Sequence, residues 1–229
     1  MPESLEFEAL SLSLKVALLS TLCSLPLAIA AAWLLARVRF RGKLLFDALL
    51  HAPLALPPIA VGYFLLLSFG TRAPFGHWLK ETLHIQLVFT TAGAIVAASV
   101  MSFPLFVRAI RLSIDNVDKG LEVAARTLGA TPGDIFWSIT LPLVLPGILS
   151  GALMAFVRGL GEFGATIVFA SNIAGETRTL PLAIYTATQT PGGEALALRL
   201  AALSMMLAVA ALLLMRPMEH RLQRWLGLG

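Results

Sequence analysis

Charged residues are scarce in this chain: they make up 13% of its 229 residues, whereas hydrophobic residues make up 58%. A soluble domain of this size needs more polar residues to cover its surface. The composition therefore excludes a soluble domain and indicates a polytopic membrane protein. The net charge of +4 does not indicate a nucleic-acid partner. Its basic residues sit at the ends of apolar segments and form no patch interleaved with aromatic residues.

Motifs for catalysis and metal binding are also missing. The chain has no glycine-rich phosphate loop ending in Gly-Lys-Ser/Thr, no paired-histidine zinc motif and no serine in a nucleophile elbow. Asp47 and His51 are too few to hold a metal, and we interpret them as interfacial polar residues. The single cysteine, Cys23, cannot form an intrachain disulfide. We therefore predict no enzyme activity, no catalytic residue, no metal site and no cofactor bound by this chain.

Five long apolar runs dominate the sequence, near residues 10–36, 44–69, 87–107, 143–170 and 196–215. Each is close to or above the roughly 20 residues that a helix needs to cross a bilayer core. The first ten residues are acidic and carry no basic residue, which is the wrong charge for a cleavable signal peptide. We predict an all-α transmembrane domain over residues 9–220 that keeps its first span.

Lysine and arginine concentrate in alternate connections between these runs. The basic set comprises Arg37, Arg39, Arg41 and Lys43, then Arg108, Arg111, Lys119 and Arg126, and finally Arg216, Arg221 and Arg224. The other connections contain only Arg72, Lys80 and Arg178, with Arg199 near the outer end of the last span. The positive-inside rule therefore predicts an N-terminus outside, a C-terminus inside and a cytoplasmic loop over residues 108–142.

Prolines interrupt the second run at Pro53, Pro57 and Pro58. Because proline removes helix hydrogen bonds, we expect the first part of this run to lie at the interface and the second part to cross the core. Such a break either lines a transport cavity or is a packing kink, and the sequence leaves both interpretations open.

Small residues recur every four positions in the fourth run. They form a stripe that lets another helix approach closely, and its members are Gly147, Gly151, Ala155 and Gly159. The partner is either a second subunit or another helix of the same subunit.

Two ionisable residues, Arg158 and Glu162, follow this stripe in apolar surroundings. Charges at membrane depth are costly, so they are candidates for a translocation path or gate, together with Phe163, Gly164 and Thr166. In one interpretation Arg158 attracts an anion and Glu162 partly cancels this attraction. In the other, the two charges neutralise each other, or pair across a subunit interface, and only hold the gate together. We favour the neutral pair.

A polar segment, residues 118–142, separates the third and fourth runs. Asp118 is placed to cap a helix, Glu122 and Arg126 form an i,i+4 pair, and Gly129 can end the helix in a left-handed conformation. Thr131, followed by a proline and an acidic residue, then predicts a second short helix that ends near residue 138 or 139. We call residues 118–142 the coupling segment.

The spacing in this segment is specific. The pattern is two alanines, a glycine four positions later, nine free residues and then Ile-x-Leu-Pro. An acidic residue precedes the alanines, one position further away than is usual. The matching residues are Glu122, Ala124, Ala125, Gly129, Ile139, Leu141 and Pro142. This pattern resembles the EAA loop of binding-protein-dependent ABC importer permeases. The resemblance implies that these residues couple the chain to a cytoplasmic ATPase. An ordinary amphipathic connector on the membrane surface would share the amphipathic character of the segment but not the spacing.

Outside the coupling segment the chain resembles bacterial molybdate permease subunits over nearly its whole length. The more specific stretches are Gly-Glu-Thr-Arg-Thr from Gly175 and Gln-Thr-Pro-Gly-Gly-Glu from Gln189. Further matching stretches begin at Ser13, Leu56, Met101, Val107 and Gly161.

This resemblance implies a type I importer in the bacterial cytoplasmic (inner) membrane. Two copies of the chain would work with two ATP-binding subunits, which use ATP and Mg²⁺, and with a periplasmic receptor that delivers molybdate or tungstate. We also expect membrane lipid as a partner, and we expect no nucleic acid. Permeases for another oxyanion such as sulfate are the nearest alternative. A passive anion channel is a further one, although it would not need the coupling segment.

Overall fold

The computed structural model describes the backbone of residues 2–225 and the side chains of residues 5–213. Over that range the ordered secondary structure is entirely helical. Four helices are long and apolar enough to cross a membrane, with bounds Leu5–Arg37, Thr91–Asp115, Pro132–Leu160 and Glu194–Leu213. A fifth crossing is available if the bent pair Lys43–Ala55 and Pro58–Phe69 is one span. The predicted all-helical membrane fold is therefore confirmed.

The helices in chain order are α1 (Pro2–Arg37), α2 (Lys43–Ala55), α3 (Pro58–Phe69), α4 (Pro74–Leu83), α5 (Thr91–Asp115), α6 (Lys119–Thr127), α7 (Pro132–Ile135), α8 (Leu141–Leu160), α9 (Gly164–Phe169), α10 (Leu180–Thr188) and α11 (Glu194–Trp225). A π-helical turn, Phe136–Thr140, joins α7 to α8 without a break. The axes of α2 and α3 differ by 117° across the two residues between them. Pro57 and Pro58 therefore interrupt the second run as predicted, whereas Pro53 lies inside α2 and does not interrupt it.

The core is formed where α1, α5 and α8 pack together. Its fully buried residues include Ala28 and Ala32 from α1, Phe106 and Ile110 from α5, and Ala155 from α8. Small residues on α1 and α8 let the larger side chains of α5 fill the space between the helices. This packing fixes the orientation of α8, from which the polar residues beyond it project.

The small-residue stripe of α8 packs inside the subunit. A Cβ atom added at Gly151 would lie 3.0 Å from the Phe106 ring, and one added at Gly159 would lie 3.4 Å from Ala17 Cα. An added Cβ at Gly147 would collide with Ser113. The stripe thus faces α5 and α1 of the same chain, which answers the question that its spacing left open.

Three helix ends differ from the sequence expectation. The fourth run is not one helix over 143–170, because α8 ends at Leu160 and the separate helix α9 follows after a three-residue break. The short helix expected from Thr131 to residue 138 or 139 is the first turn of the continuous helix Pro132–Leu160. Helix α5 extends to Asp115, eight residues beyond the predicted end at 107, so the polar connection is shorter than 108–142.

The orientation of the termini stays a prediction, because no membrane is present to test it. Part of its basis, the side chains of Arg216, Arg221 and Arg224, lies outside the described residues.

Candidate functional site

Helix α6 begins and ends in the coupling segment as the sequence predicts. The Asp118 carboxylate accepts a hydrogen bond of 2.8 Å from the Gly120 N–H, which satisfies one of the free donors at the helix start. Gly129 has φ +89°, the left-handed conformation expected at a helix end. No residue of α6 is buried, and it exposes the apolar side chains of Leu121 and Val123. The helix therefore lies on the surface, open to a partner.

The second half of the coupling segment starts with a capping box. The Thr131 hydroxyl and the Asp134 carboxylate each bond to the other residue's backbone N–H. The helix then passes through the π turn and continues into α8. The motif residues of this half, Ile139, Leu141 and Pro142, are partly buried at the junction, as is Ala125 of α6, whereas Ala124 is exposed.

Glu122 does not pair with Arg126, and that part of the sequence interpretation is wrong. Its carboxylate lies against Arg37, the last residue of α1, with Oε1 2.7 Å from Nη2 and Oε2 3.3 Å from Nη1. The Thr140 hydroxyl donates a third bond of 3.1 Å to Glu122 Oε1. A charged, two-pronged and partly buried pair is stronger than an exposed i,i+4 pair, which explains why Arg37 displaces Arg126.

Arg158 and Glu162 form the predicted ion pair at the break between α8 and α9. Arg158 Nη1 is 2.7 Å from Glu162 Oε2; the Glu162 side chain is 2% exposed and that of Arg158 is 29% exposed. The other carboxylate oxygen, Glu162 Oε1, accepts a hydrogen bond of 2.9 Å from the Ala165 N–H. Glu162 therefore balances Arg158 and also satisfies a backbone donor at the start of α9.

The break between α2 and α3 lies against the break between α8 and α9. A Cβ atom added at Gly164 would be 2.6 Å from Pro58 Cβ, and one added at Gly62 would be 2.6 Å from the Ala165 carbonyl oxygen. Helix α3 thus crosses α9 with almost no space between the backbones. We call this the helix-break contact. Interrupted backbone at membrane depth is tolerated where protein buries it or where it lines a cavity.

The path candidates differ in accessibility. Gly164 and Thr166 are buried in the packing around α9, with Thr166 1% exposed. Phe163 is partly exposed, and its ring centroid lies 5.4 Å from that of Tyr185 on α10. Arg158, Gly161 and Phe163 keep exposed surface at the break.

A loop after α9, residues 171–179, is fixed by contacts that the sequence did not reveal. Glu176 Oε1 accepts bonds from the Thr91 N–H (2.9 Å) and the Thr91 hydroxyl (3.0 Å), at the start of α5. The Leu180 N–H donates to the Ser13 hydroxyl of α1 at 2.6 Å. The bonds from Thr91 hold the pKa of Glu176 below its ordinary value. The loop therefore connects α9, α5 and α1.

Asp47 and His51 form part of a polar cluster between α2 and α5. Asp47 Oδ2 lies 2.9 Å from Arg111 Nη1, and Asp47 Oδ1 lies 3.0 Å from His51 Nδ1. The described residues contain no group of three or more histidine, cysteine or acidic side chains that could hold a metal. Pairing with Arg111 is the observed role of the aspartate.

A sequence profile of one transporter family matches residues 24–224 of the chain, under the description "Binding-protein-dependent transport system inner membrane component". The chain belongs to this family. Its members are inner membrane proteins, and the apolar helices described above agree with that location.

Two molybdenum permeases are similar to the chain over nearly their full length, and a sulfate permease is similar over about three quarters of its own. The molybdenum transport system permease ModB of Escherichia coli strain K12 is 56% identical over 209 residues, 91% of each chain. The ModB protein of Haemophilus influenzae is 50% identical over 225 residues, 98% of each chain. The sulfate permease CysW of Synechocystis is 35% identical over 216 residues, 93% of this chain and 76% of its own.

Solved structures show the same fold at low sequence identity. A chain of an amino acid ABC transporter superposes with a TM-score of 0.67 at 20% identity, covering 96% of this chain and 94% of its own. A chain of the methionine transporter MetNI has a TM-score of 0.71 at 17% identity, covering 92% and 93%. The predicted fold class, the transmembrane domain of a type I ABC importer, is confirmed.

Proposed function

We propose that this chain is the membrane-spanning subunit of an ATP-driven importer for molybdate, with tungstate as a second substrate. The observation that carries the proposal is the identity of 50% or more to two molybdenum permeases over at least 91% of each chain. The sulfate permease is more distant, at 35% identity. The similarity to the molybdenum permeases therefore extends over the whole transmembrane domain and is not confined to the family motif.

The assembly that we propose contains two copies of this chain and two cytoplasmic ATP-binding subunits. A periplasmic oxyanion-binding protein delivers the substrate, and lipid surrounds the complex. The chain has no catalytic role and binds no cofactor in this proposal, because ATP and Mg²⁺ belong to the partner ATPase. The family description, a component of a binding-protein-dependent system, supports such partners.

The coupling segment is the contact to the ATPase in this proposal. Its motif residues are Glu122, Ala124, Ala125, Gly129, Ile139, Leu141 and Pro142. Support comes from the surface position of α6, its exposed apolar side chains and its fixed caps at both ends. A short rigid helix of this kind can insert into a groove of a partner and pass on its movement.

We assign Arg158 and Glu162 to a mutually neutralising pair that holds the break between α8 and α9. Support comes from the 2.7 Å contact and from the second bond that Glu162 makes to the backbone of α9. Because a receptor supplies the substrate, the membrane subunit needs little binding energy of its own.

A deletion strain tests the proposed substrate. Loss of the chain should lower the activity of molybdenum enzymes when molybdate is scarce, and excess molybdate should restore it through less selective uptake. Growth on limiting sulfate should be unaffected. A sulfate requirement with normal molybdenum-enzyme activity would instead identify a sulfate permease.

A further inference from the structure

The coupling helix α6 has one charged attachment to the first transmembrane helix. Arg37 ends α1, and both its terminal nitrogens face the Glu122 carboxylate, at 2.7 and 3.3 Å. The two side chains are 18% and 14% exposed. Because the guanidinium and the carboxylate meet as two planar forks, this pair fixes orientation as well as distance.

The same carboxylate is held by the helix that leads into α8. The Thr140 hydroxyl, in the π turn and buried, donates to Glu122 Oε1 at 3.1 Å. Glu122 therefore joins three elements: α6, the end of α1 and the start of α8. Turns of π helix occur often at functional sites, because they displace the residues of one turn from the regular helical ladder.

Aromatic contacts reinforce the junction from the side of α1. The Arg37 guanidinium lies 5.7 Å from the ring centroid of Trp33, one turn earlier on α1. Trp33 in turn makes an edge-to-face contact, with centroids 5.3 Å apart, to Phe136 of the π turn. The end of α1 is thus attached to the π turn by packing and to α6 by charge.

The rest of α6 offers little other attachment. None of its own residues is buried, and the nearest core residue is Val117, two positions before the helix starts. The Arg37 Nε–H is buried without a hydrogen-bond partner among the described groups, an arrangement that costs stability.

We propose that Arg37 is a positioning residue for energy coupling. Through Glu122 and Thr140, it makes α6, α1 and the start of α8 move together when a cytoplasmic partner displaces α6. This inference rests on the proposed function, since it requires an ATPase partner at α6. It adds a residue, outside the family motif, that converts movement of the coupling helix into movement of the transmembrane bundle.

The first test measures the junction itself, without transport. Hydrogen exchange of the α6 amides is compared in the purified full-length chain for the wild type, Arg37→Gln and the control Arg39→Gln. Arg39 is exposed and has no ion-pair partner among the described side chains. We expect protection of α6 to fall about tenfold or more in Arg37→Gln alone, the scale of a lost hydrogen bond to a charged group. Equal protection in all three proteins would overturn the proposal, whatever the chain transports.

The second test measures coupling in the complex with its ATPase and receptor, as substrate moved per ATP hydrolysed. We expect Arg37→Gln to lower this ratio while the complex still assembles, Arg37→Lys to lower it less, and the exchange Arg37→Glu with Glu122→Arg to restore part of it. Arg39→Gln should keep the wild-type ratio. A normal ratio in Arg37→Gln would refute the coupling role. Absence of uptake by the wild-type complex would refute the proposed function instead and leave the exchange result standing.

Discussion

At the scale of single residues, polar side chains in this protein mainly serve the backbone ends of helices. Asp118 and Thr131 cap the two helices of the coupling segment, Glu162 bonds to the start of α9, and Glu176 bonds to the start of α5. Of these, only Glu162 is buried, where an unpaired backbone donor is most costly. Other acidic residues, Asp47 and Glu122, instead pair with arginines.

The cap at Glu176 predicts a pH dependence of stability. Its pKa is lowered from an ordinary 4.5 by the hydrogen bonds from Thr91. A lowered folded-state pKa means that the carboxylate stabilises the fold fully above the unfolded pKa, and that this contribution is lost as pH falls through the folded value. Glu176→Gln should thus lower the melting temperature at neutral pH, and the difference from wild type should vanish in acid.

Glu81→Gln is the matched control for this experiment. Glu81 is exposed on α4 and makes no hydrogen bond or ion pair that the described structure records. Its substitution should leave the melting temperature within error of wild type. If Glu176→Gln lowered the melting temperature by the same amount at neutral and acidic pH, the result would contradict a role for the carboxylate charge.

Arg158 and Glu162 give a prediction for the neutral pair. Arg158→Gln leaves the buried Glu162 carboxylate unbalanced, so we expect a loss of stability of about 2 kcal/mol and reduced transport. Adding Glu162→Gln removes the second charge but keeps an acceptor for the Ala165 N–H. Uptake and thermal stability should recover in the double variant. Continued failure of uptake in a stable, assembled double variant would instead place Arg158 on the anion's path.

At the scale of helices, α3 and α9 pack closely at the helix-break contact. Gly62 and Gly164 permit it because each lacks a side chain at the point where the other helix's backbone arrives. Two interrupted helices thereby support each other.

This contact predicts a selective effect of adding one methyl group. Gly62→Ala should destabilise the chain by about 1–3 kcal/mol, because its Cβ would lie 2.6 Å from the Ala165 carbonyl oxygen. Gly161→Ala is the control: it lies at the same break, yet its Cβ would be 4.0 Å from the nearest atom, Arg158 O. Thermal unfolding measures both. Equal melting temperatures for the two variants would show that the helices separate easily and would contradict the tight contact.

At the scale of the whole molecule, features that depend on local sequence could be predicted. Asp118, Gly129 and the Pro57–Pro58 pair act within a few residues of themselves, so a cap, a left-handed helix end and a broken span followed from the sequence. The small-residue stripe was visible too. Its partner was not, because the choice between another subunit and another helix depends on tertiary packing.

Several contacts missed by sequence reasoning join distant residues. Arg37 and Glu122 are separated by 85 positions, and so are Thr91 and Glu176. For Glu122 the sequence offered a nearby alternative, Arg126, and a local rule favoured it. The tertiary structure instead supplied a partly buried partner with better geometry. The break after Leu160 was missed because the run stays apolar across it, although three glycines near Glu162 were a signal.

Orientation in the membrane is a prediction for the whole chain. The distribution of basic residues places the loop around His77 outside and the coupling segment inside. Single cysteines at His77 and Asp134, both exposed, in a Cys23→Ser background report this directly. In intact cells a membrane-impermeant thiol reagent should label the cysteine at 77 and not the one at 134. Labelling of both, or of only the one at 134, would contradict the orientation.

The central claim is the proposal that this chain forms the membrane pathway of an ATP-driven molybdate importer. It is tested most directly in proteoliposomes that contain the complete complex, by following the accumulation of radiolabelled molybdate with its receptor outside and ATP inside. We predict accumulation that requires both ATP and receptor and that excess sulfate does not reduce. Molybdate entry without ATP, or transport of sulfate in place of molybdate, would contradict the account.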